Sequence, residues 1–197
     1  MNAPLHNPRI AEHPVDPIFV ERWSPRSFND ETLPESALLT MLEAARWAPS
    51  ASNHQPWRFA YGLRGDAGFD AILGSLVEFN AAWAVKAAAL VAIASKTTVA
   101  GPEGDVPNAF HSFDAGAAWA NLALQAHLSG HVAHAMGGFD RARAAAALNL
   151  PADYQLQAIV AIGRRADAAA LPEKLRARET PSGRVPLAQI ARRGAFA

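Results

Sequence analysis

The chain contains no cysteine. Disulfides, iron–sulfur ligation, thiolate zinc sites and cysteine nucleophiles are thereby excluded, so any redox chemistry has to come from a bound cofactor. Charge of one sign is also missing, because 18 Lys and Arg offset 18 Asp and Glu. Nothing therefore calls for nucleic acid or an anionic membrane, and the expected partner is a small molecule or a second copy of the chain. Long apolar runs are absent too. Ala87 to Ala94 is the longest and falls far below a membrane span, while His6, Arg9, Glu12 and His13 break up Met1 to Val15 where a signal peptide would be continuous. These features point to a cytoplasmic protein.

Half of the 197 residues are hydrophobic, enough for one domain with a real core and too few for two. The reading is a single domain over 1–197, with 1–15 as an N-terminal extension and 171–197 as a C-terminal tail. Thr32, Pro34 and Glu35 make a capping-box start for a helix whose inward face carries Leu38, Leu39, Leu42 and Ala45 and which stops by Pro49. Trp57 to Tyr61 reads as a strand with Trp57, Phe59 and Tyr61 on one face, and Ala87 to Ala94 as a strand buried on both. Gly68 to Phe79 reads as a helix, as does Phe113 to Leu128, which Gly130 ends. A short segment then reaches Met136-Gly137-Gly138, followed by an alanine-rich helix from Asp140 to Leu148 and an apolar strand from Gln155 to Ile162. From Leu171 onward five arginines and three prolines accompany few strongly apolar residues, so the tail builds no core and is either disordered or wrapped on a partner.

Four segments could carry chemistry. Arg22-Trp23-Ser24-Pro25-Arg26-Ser27-Phe28 gathers two arginines and two hydroxyls, which suits an anion but also describes a solvated basic loop. Pro49-Ser50-Ala51-Ser52-Asn53-His54-Gln55-Pro56-Trp57 crowds hydroxyls and amides between a helix end and a strand start; these could edge a heterocycle or simply form an Asx-type turn. The paired glycines of Met136-Gly137-Gly138-Phe139 let backbone N–H groups approach a flat ligand, or make a plain turn. Gly163-Arg164-Arg165 could clamp a phosphate or merely solubilise a strand end.

In order and spacing these segments together resemble the FMN-dependent nitroreductase family, from about Arg22 to Arg165. That family shows an Arg-x-Ser-x-Arg motif, then Pro-Ser-x-x-Asn-x-Gln-Pro-Trp, a Gly-Phe turn and a basic strand end. The resemblance implies an α+β fold with a central mixed, mostly antiparallel sheet flanked by helices, and a homodimer holding FMN at the subunit interface. Its C-terminal tail would embrace the partner subunit. It also implies NADH or NADPH as electron donor and a small electron-poor acceptor. By the same resemblance Arg22, Trp23, Ser24 and Arg26 contact the phosphate and the pyrimidine side of the flavin. Pro49, Ser50 and Asn53 match the second motif, with Asn53 at the ring edge, Met136, Gly137 and Gly138 lie against the ring with a backbone N–H at N5, and Arg164 and Arg165 hold the phosphate. No catalytic side chain is implied. A flavin protein without turnover and an oxygen-dependent flavin enzyme share the same binding residues.

Two departures from the family pattern bear on substrate and geometry. Pro25 removes a backbone donor from the first motif, and Lys96 to Asn108 reads as a short loop where larger relatives carry a helical cover. Other signals are weaker. Gly62 to Gly68 lacks phosphate-loop spacing and reads as a turn. His127, His131 and His134 lack metal-ligand spacing, though His134 is placed to wall a pocket.

Overall fold

In the computed structural model, which describes residues 7–196, four strands form one sheet in the order β1-β2-β6-β5. They are β1 (Trp57–Leu63), β2 (Ala89–Lys96), β5 (Val132–Met136) and β6 (Tyr154–Gly163), and every pairing among them is antiparallel. The central strands are apolar on both faces. On β2, Leu90, Ala92 and Ala94 enter one core while Val91 and Ile93 enter the other, and Ala161 and Val160 divide in the same way on β6. This is the period-2 alternation of a strand covered on both sides.

Helices α3 (Ala67–Leu73), α4 (Glu78–Ala84) and α6 (Arg141–Ala147) supply Phe69, Ile72, Trp83 and Ala144 to the first core. Helices α2 (Glu35–Arg46) and α5 (His111–Leu128) supply Leu38, Met41, Ala118 and Leu122 to the second. Gly130, at φ +73°, takes the left-handed turn that ends α5 and leads into β5.

Four local readings are corrected. Helix α2 has no capping box: Pro34 is its N-cap, and the Glu35 carboxylate accepts instead from the Tyr61 hydroxyl at 2.8 Å. Its inward face carries Met41, while Leu39 is exposed. The single helix expected over 68–79 is two, α3 and α4. Between them Val77 N–H donates to Gly138 O, and Ser75 O accepts from Asp140 N–H, so bonds to a distant turn replace helical ones and Phe79 is left outside.

The expected loop over 96–108 is a hairpin of β3 (Thr98–Gly101) and β4 (Gly104–Pro107). Gly104 at φ +128° makes its turn. The tail is also more structured than its composition suggests. Leu171 before α7 (Glu173–Arg176), Leu175 within it and Glu179 after it are buried against the chain's own body.

Candidate cofactor-binding site

Residues 22–27 follow the short helix α1 (Ile18–Glu21), with Arg22 extended and burial alternating from residue to residue as in extended chain. Trp23, Pro25 and Ser27 are buried, whereas Arg22, Ser24 and Arg26 are only partly covered. Extended backbone turns alternate side chains to opposite sides, so an Arg-x-Ser-x-Arg spacing puts all three polar groups on one side. Pro25 helps to pin the segment. Its ring is fully buried, and its carbonyl lies 3.0 Å from Nδ1 of His134 on β5.

Arg22, Trp23, Ser24 and Arg26 line a cleft of about 390 Å³ together with Arg9, His134 and the tail residues Arg178, Thr180, Ser182 and Arg184. Five arginines thus meet at one edge of the sheet. The nearest counter-charge is Glu179, whose Oε1 accepts from the backbone N–H groups of Arg26 (2.6 Å) and Ser27 (2.8 Å) and whose Oε2 lies 3.9 Å from the Arg26 guanidinium.

The charge is poorly compensated. Burial lowers the Arg22 guanidinium from its ordinary value, and Arg184 lowers it further. Burial also lowers Arg26, against the pull of Glu179. Burial pushes His134 down to about 4, with Arg26 and Arg22 adding to the effect, so its ring is neutral at pH 7. Trp83 packs on that ring with centroids 4.8 Å apart. Such a cleft demands an anion with several acceptor oxygens.

The remaining candidates divide. Met136 ends β5 and is buried, which continues the same sheet edge into Gly137 and Gly138. A Cβ on Gly137 would meet nothing within 4 Å, so its backbone faces open space; one on Gly138 would fall 2.7 Å from Nδ2 of Asn80. Gly137 is therefore open to a ligand, and Gly138 is a packing requirement.

Pro49, Ser50 and Asn53 lie elsewhere. They join the end of α2 to β1 on the opposite edge of the sheet. Ser50 Oγ accepts from Gln55 N–H at 3.0 Å, and Ala51 N–H points to the buried Asp114 carboxylate at 3.2 Å. Ser52, Asn53 and Gln55 all have left-handed φ (48°, 55° and 48°), a cost that clusters at functional positions. The Asn53 side chain is exposed.

Arg164 and Arg165 do not line the arginine cleft. Arg164 pairs with Glu31 at 2.9 Å, donates to Gly130 O at 3.2 Å and lines a separate cavity with Arg165 and His131. The Arg165 backbone bridges to Phe28. Of the other histidines, His127 faces Glu21 at 3.6 Å. Among the described residues no cluster of three or more His, Asp or Glu could hold a metal, and no helix is long and apolar enough to cross a membrane.

Arg178, Arg9 and Arg184 were not among the sequence candidates. Arg178 and Arg184 belong to the arginine-rich tail, but nothing local ties them to Arg22, more than 150 positions away, and Arg9 lies in the N-terminal extension outside any motif.

An antiparallel sheet covered on both faces, with an arginine-lined cleft at one edge, defines an α+β protein built to bind an anionic ligand. The model of the nitroreductase family matches residues 19–164, and the chain belongs to that family. A solved structure described as an oxidoreductase containing FMN is 47% identical, with a TM-score of 0.94 over 100% of this chain and 98% of its own. A Desulfovibrio desulfuricans protein in complex with FMN, whose name suggests a nitroreductase, is 27% identical with a TM-score of 0.73 over 95% and 100% of the two chains. A Bacillus subtilis protein whose name suggests an NAD(P)H nitroreductase is 41% identical over 54 residues, 27% of this chain and 28% of its own.

Proposed function

We propose that this chain is a cytoplasmic, FMN-dependent oxidoreductase that passes hydride equivalents from NADH or NADPH to an electron-poor organic acceptor, such as a nitroaromatic or a quinone, in a ping-pong cycle. The observation that carries the proposal is the cleft of Arg9, Arg22, Arg26, Arg178 and Arg184, whose one carboxylate partner among the described residues is Glu179. A phosphate monoester fits it, being a dianion that offers only acceptors. The FMN-containing relatives support the choice of cofactor, and the name of the Bacillus subtilis relative supports the choice of donor.

Arg22, Arg26 and Arg178 would hold the phosphate, and Ser24 and Trp23 would line its approach. Gly137, with open space above its backbone, would offer its N–H to the ring. Bound FMN supplies the two-electron chemistry itself. The protein's part is to bind and orient the ring and to stabilise the negative charge that reduction leaves on it. No side chain is assigned as acid or base, and His134 is neutral and adds no charge to the cleft.

The site is shared between two chains. Glu21, beside Arg22, reaches His127 in the last turn of α5, while Ala51, beside Ser50, reaches Asp114 in the first. At 1.5 Å per residue those contacts are about 20 Å apart along the helix. They also belong to opposite edges of the sheet. A second copy is what brings Asn53 to the arginine cleft.

The outer face of α5 suits that copy. Phe113 and Leu128 are 79% and 69% exposed, and Gly116 and Ala120 lie between them with room for a close approach. Residues 187–196 of the tail are exposed and would extend onto the partner.

An absorption spectrum of protein purified without added cofactor, followed by anaerobic NADH or NADPH, tests the reading. Flavin near one equivalent per chain that bleaches with nicotinamide supports it. A colourless protein that FMN does not reconstitute overturns it.

A further inference from the structure

The turn between α2 and β1 carries three left-handed residues, Ser52, Asn53 and Gln55, none of them glycine. Each is strained for an L side chain, and such a run persists only where its surroundings hold it. Some of the hold is internal. Asn53 N–H donates to Ser50 O, His54 N–H to Ala51 O and Gln55 N–H to Ser50 Oγ, each at 3.0 Å. These bonds travel with the turn, so they do not fix it to the body of the protein. Arg58, on the strand that follows, adds a bond to Gln55 O at 3.1 Å.

The tie to a helix is Asp114, in the first turn of α5. Its carboxylate accepts from Ala51 N–H, with Oδ2 at 3.2 Å and Oδ1 at 3.4 Å. Asp114 is 2% exposed, whereas the other buried residues of α5 are Ala115, Ala118, Leu122, Ala123 and Ala126. Among the described residues its side chain has no cationic partner and no further hydrogen bond. A buried carboxylate is costly where an alanine or leucine would pack, so packing alone does not explain it. Its one use in the chain is to grip the turn.

We propose that Asp114 is the positioning residue for Asn53: its carboxylate pins Ala51 and thereby holds the left-handed turn in the form that presents the exposed Asn53 side chain. The inference rests on the flavin reading, in which Asn53 meets the ring edge. The turn is then ordered before the cofactor arrives, and FMN binding does not have to supply that ordering.

A double-mutant cycle on the flavin-loaded protein tests this, with FMN affinity and the reduction potential of the bound flavin as readouts. Asp114→Ala and Asn53→Ala are each expected to weaken FMN binding by about tenfold and to move the potential in the same direction. The double variant is expected to be no weaker than about threefold below either single one, because both changes remove the same contact. Asp114→Asn keeps an acceptor for Ala51 N–H and is expected to return affinity and potential to within about threefold of wild type. Losses that add in the double variant, or a potential that moves with Asn53→Ala but not with Asp114→Ala, overturn the inference. If Asn53→Ala itself leaves flavin binding unchanged, the flavin reading of this turn fails, and hydrogen exchange in flavin-free protein still decides the role of Asp114. The Asn53 and Gln55 amides are expected to exchange about tenfold faster in Asp114→Ala; unchanged exchange shows that Asp114 does not hold the turn.

Discussion

The carboxylate of Glu179 accepts the backbone N–H of Arg26 at 2.6 Å, across 153 positions of sequence. This bond fastens the C-terminal tail to the Arg-x-Ser-x-Arg segment and brings Arg178 and Arg184 to the cleft. Glu179 is buried, and its second oxygen has no hydrogen-bond partner in the structure. Glu179→Gln should therefore cost about 1–3 kcal/mol of stability, the range for hydrogen bonds to a charged group. Urea unfolding with an unchanged slope and a lower midpoint is the expected result.

Arg178 and Arg164 should separate cleanly. Arg178→Ala should weaken FMN binding by about 1.5–3 kcal/mol, since it removes a cation from the phosphate's proposed seat. Arg164→Ala should leave FMN affinity within about twofold, because that side chain is engaged with Glu31 and Gly130 in another cavity. Fluorescence titration of FMN into the apoprotein measures both.

The two adjacent glycines make opposite predictions. Gly138→Ala drives a methyl to 2.7 Å from Asn80 Nδ2 and 3.1 Å from Val77. It should destabilise the fold by about 1–3 kcal/mol, as overpacking does. Gly137→Ala meets nothing in the chain, so the thermal midpoint of the apoprotein should hold while FMN binding weakens.

The family motifs singled out Arg22, Trp23, Ser24 and Arg26, which line the arginine cleft, and strand periodicity marked three of the four strands of the sheet, leaving β5 as a short segment. Three things were hidden. The split of α3 from α4 depends on bonds from Ser75 and Val77 to the turn at 138–140, which no local pattern reports. The hairpin over 98–107 has strands of only four residues each, too short for a periodic signal. The tail read as coreless because Leu171 and Leu175 are sparse, yet each finds a place in a core that other elements build. Arg164, matched to the phosphate role by its place in sequence order, is engaged by Glu31 and Gly130 outside the arginine cleft.

His134 makes stability depend on pH with a definite sign. Its folded value, about 4, lies below the ordinary 6.5 because burial and then the arginines disfavour the cation. Between those values the unfolded chain takes up a proton that the folded chain refuses. Stability from this group is therefore full above pH 6.5 and falls as pH drops toward 4, by up to about 3 kcal/mol. His134→Gln should flatten that part of the curve, measured by urea unfolding across the range. Bound phosphate should raise the His134 value by neutralising Arg22 and Arg26, which NMR titration of the ring with and without FMN would show.

In the proposed dimer, Arg22 of one chain and Asn53 of the other serve the same flavin. Arg22→Ala and Asn53→Ala chains, each weakened in FMN retention, can be unfolded together, refolded as a mixture and assayed for bound flavin. If the site spans two chains, half of the dimers are mixed and each carries one intact site, so tight FMN binding should return at about one quarter of the wild-type level. If mixing restores no tight binding while wild-type protein refolded in parallel recovers it, the shared site is contradicted.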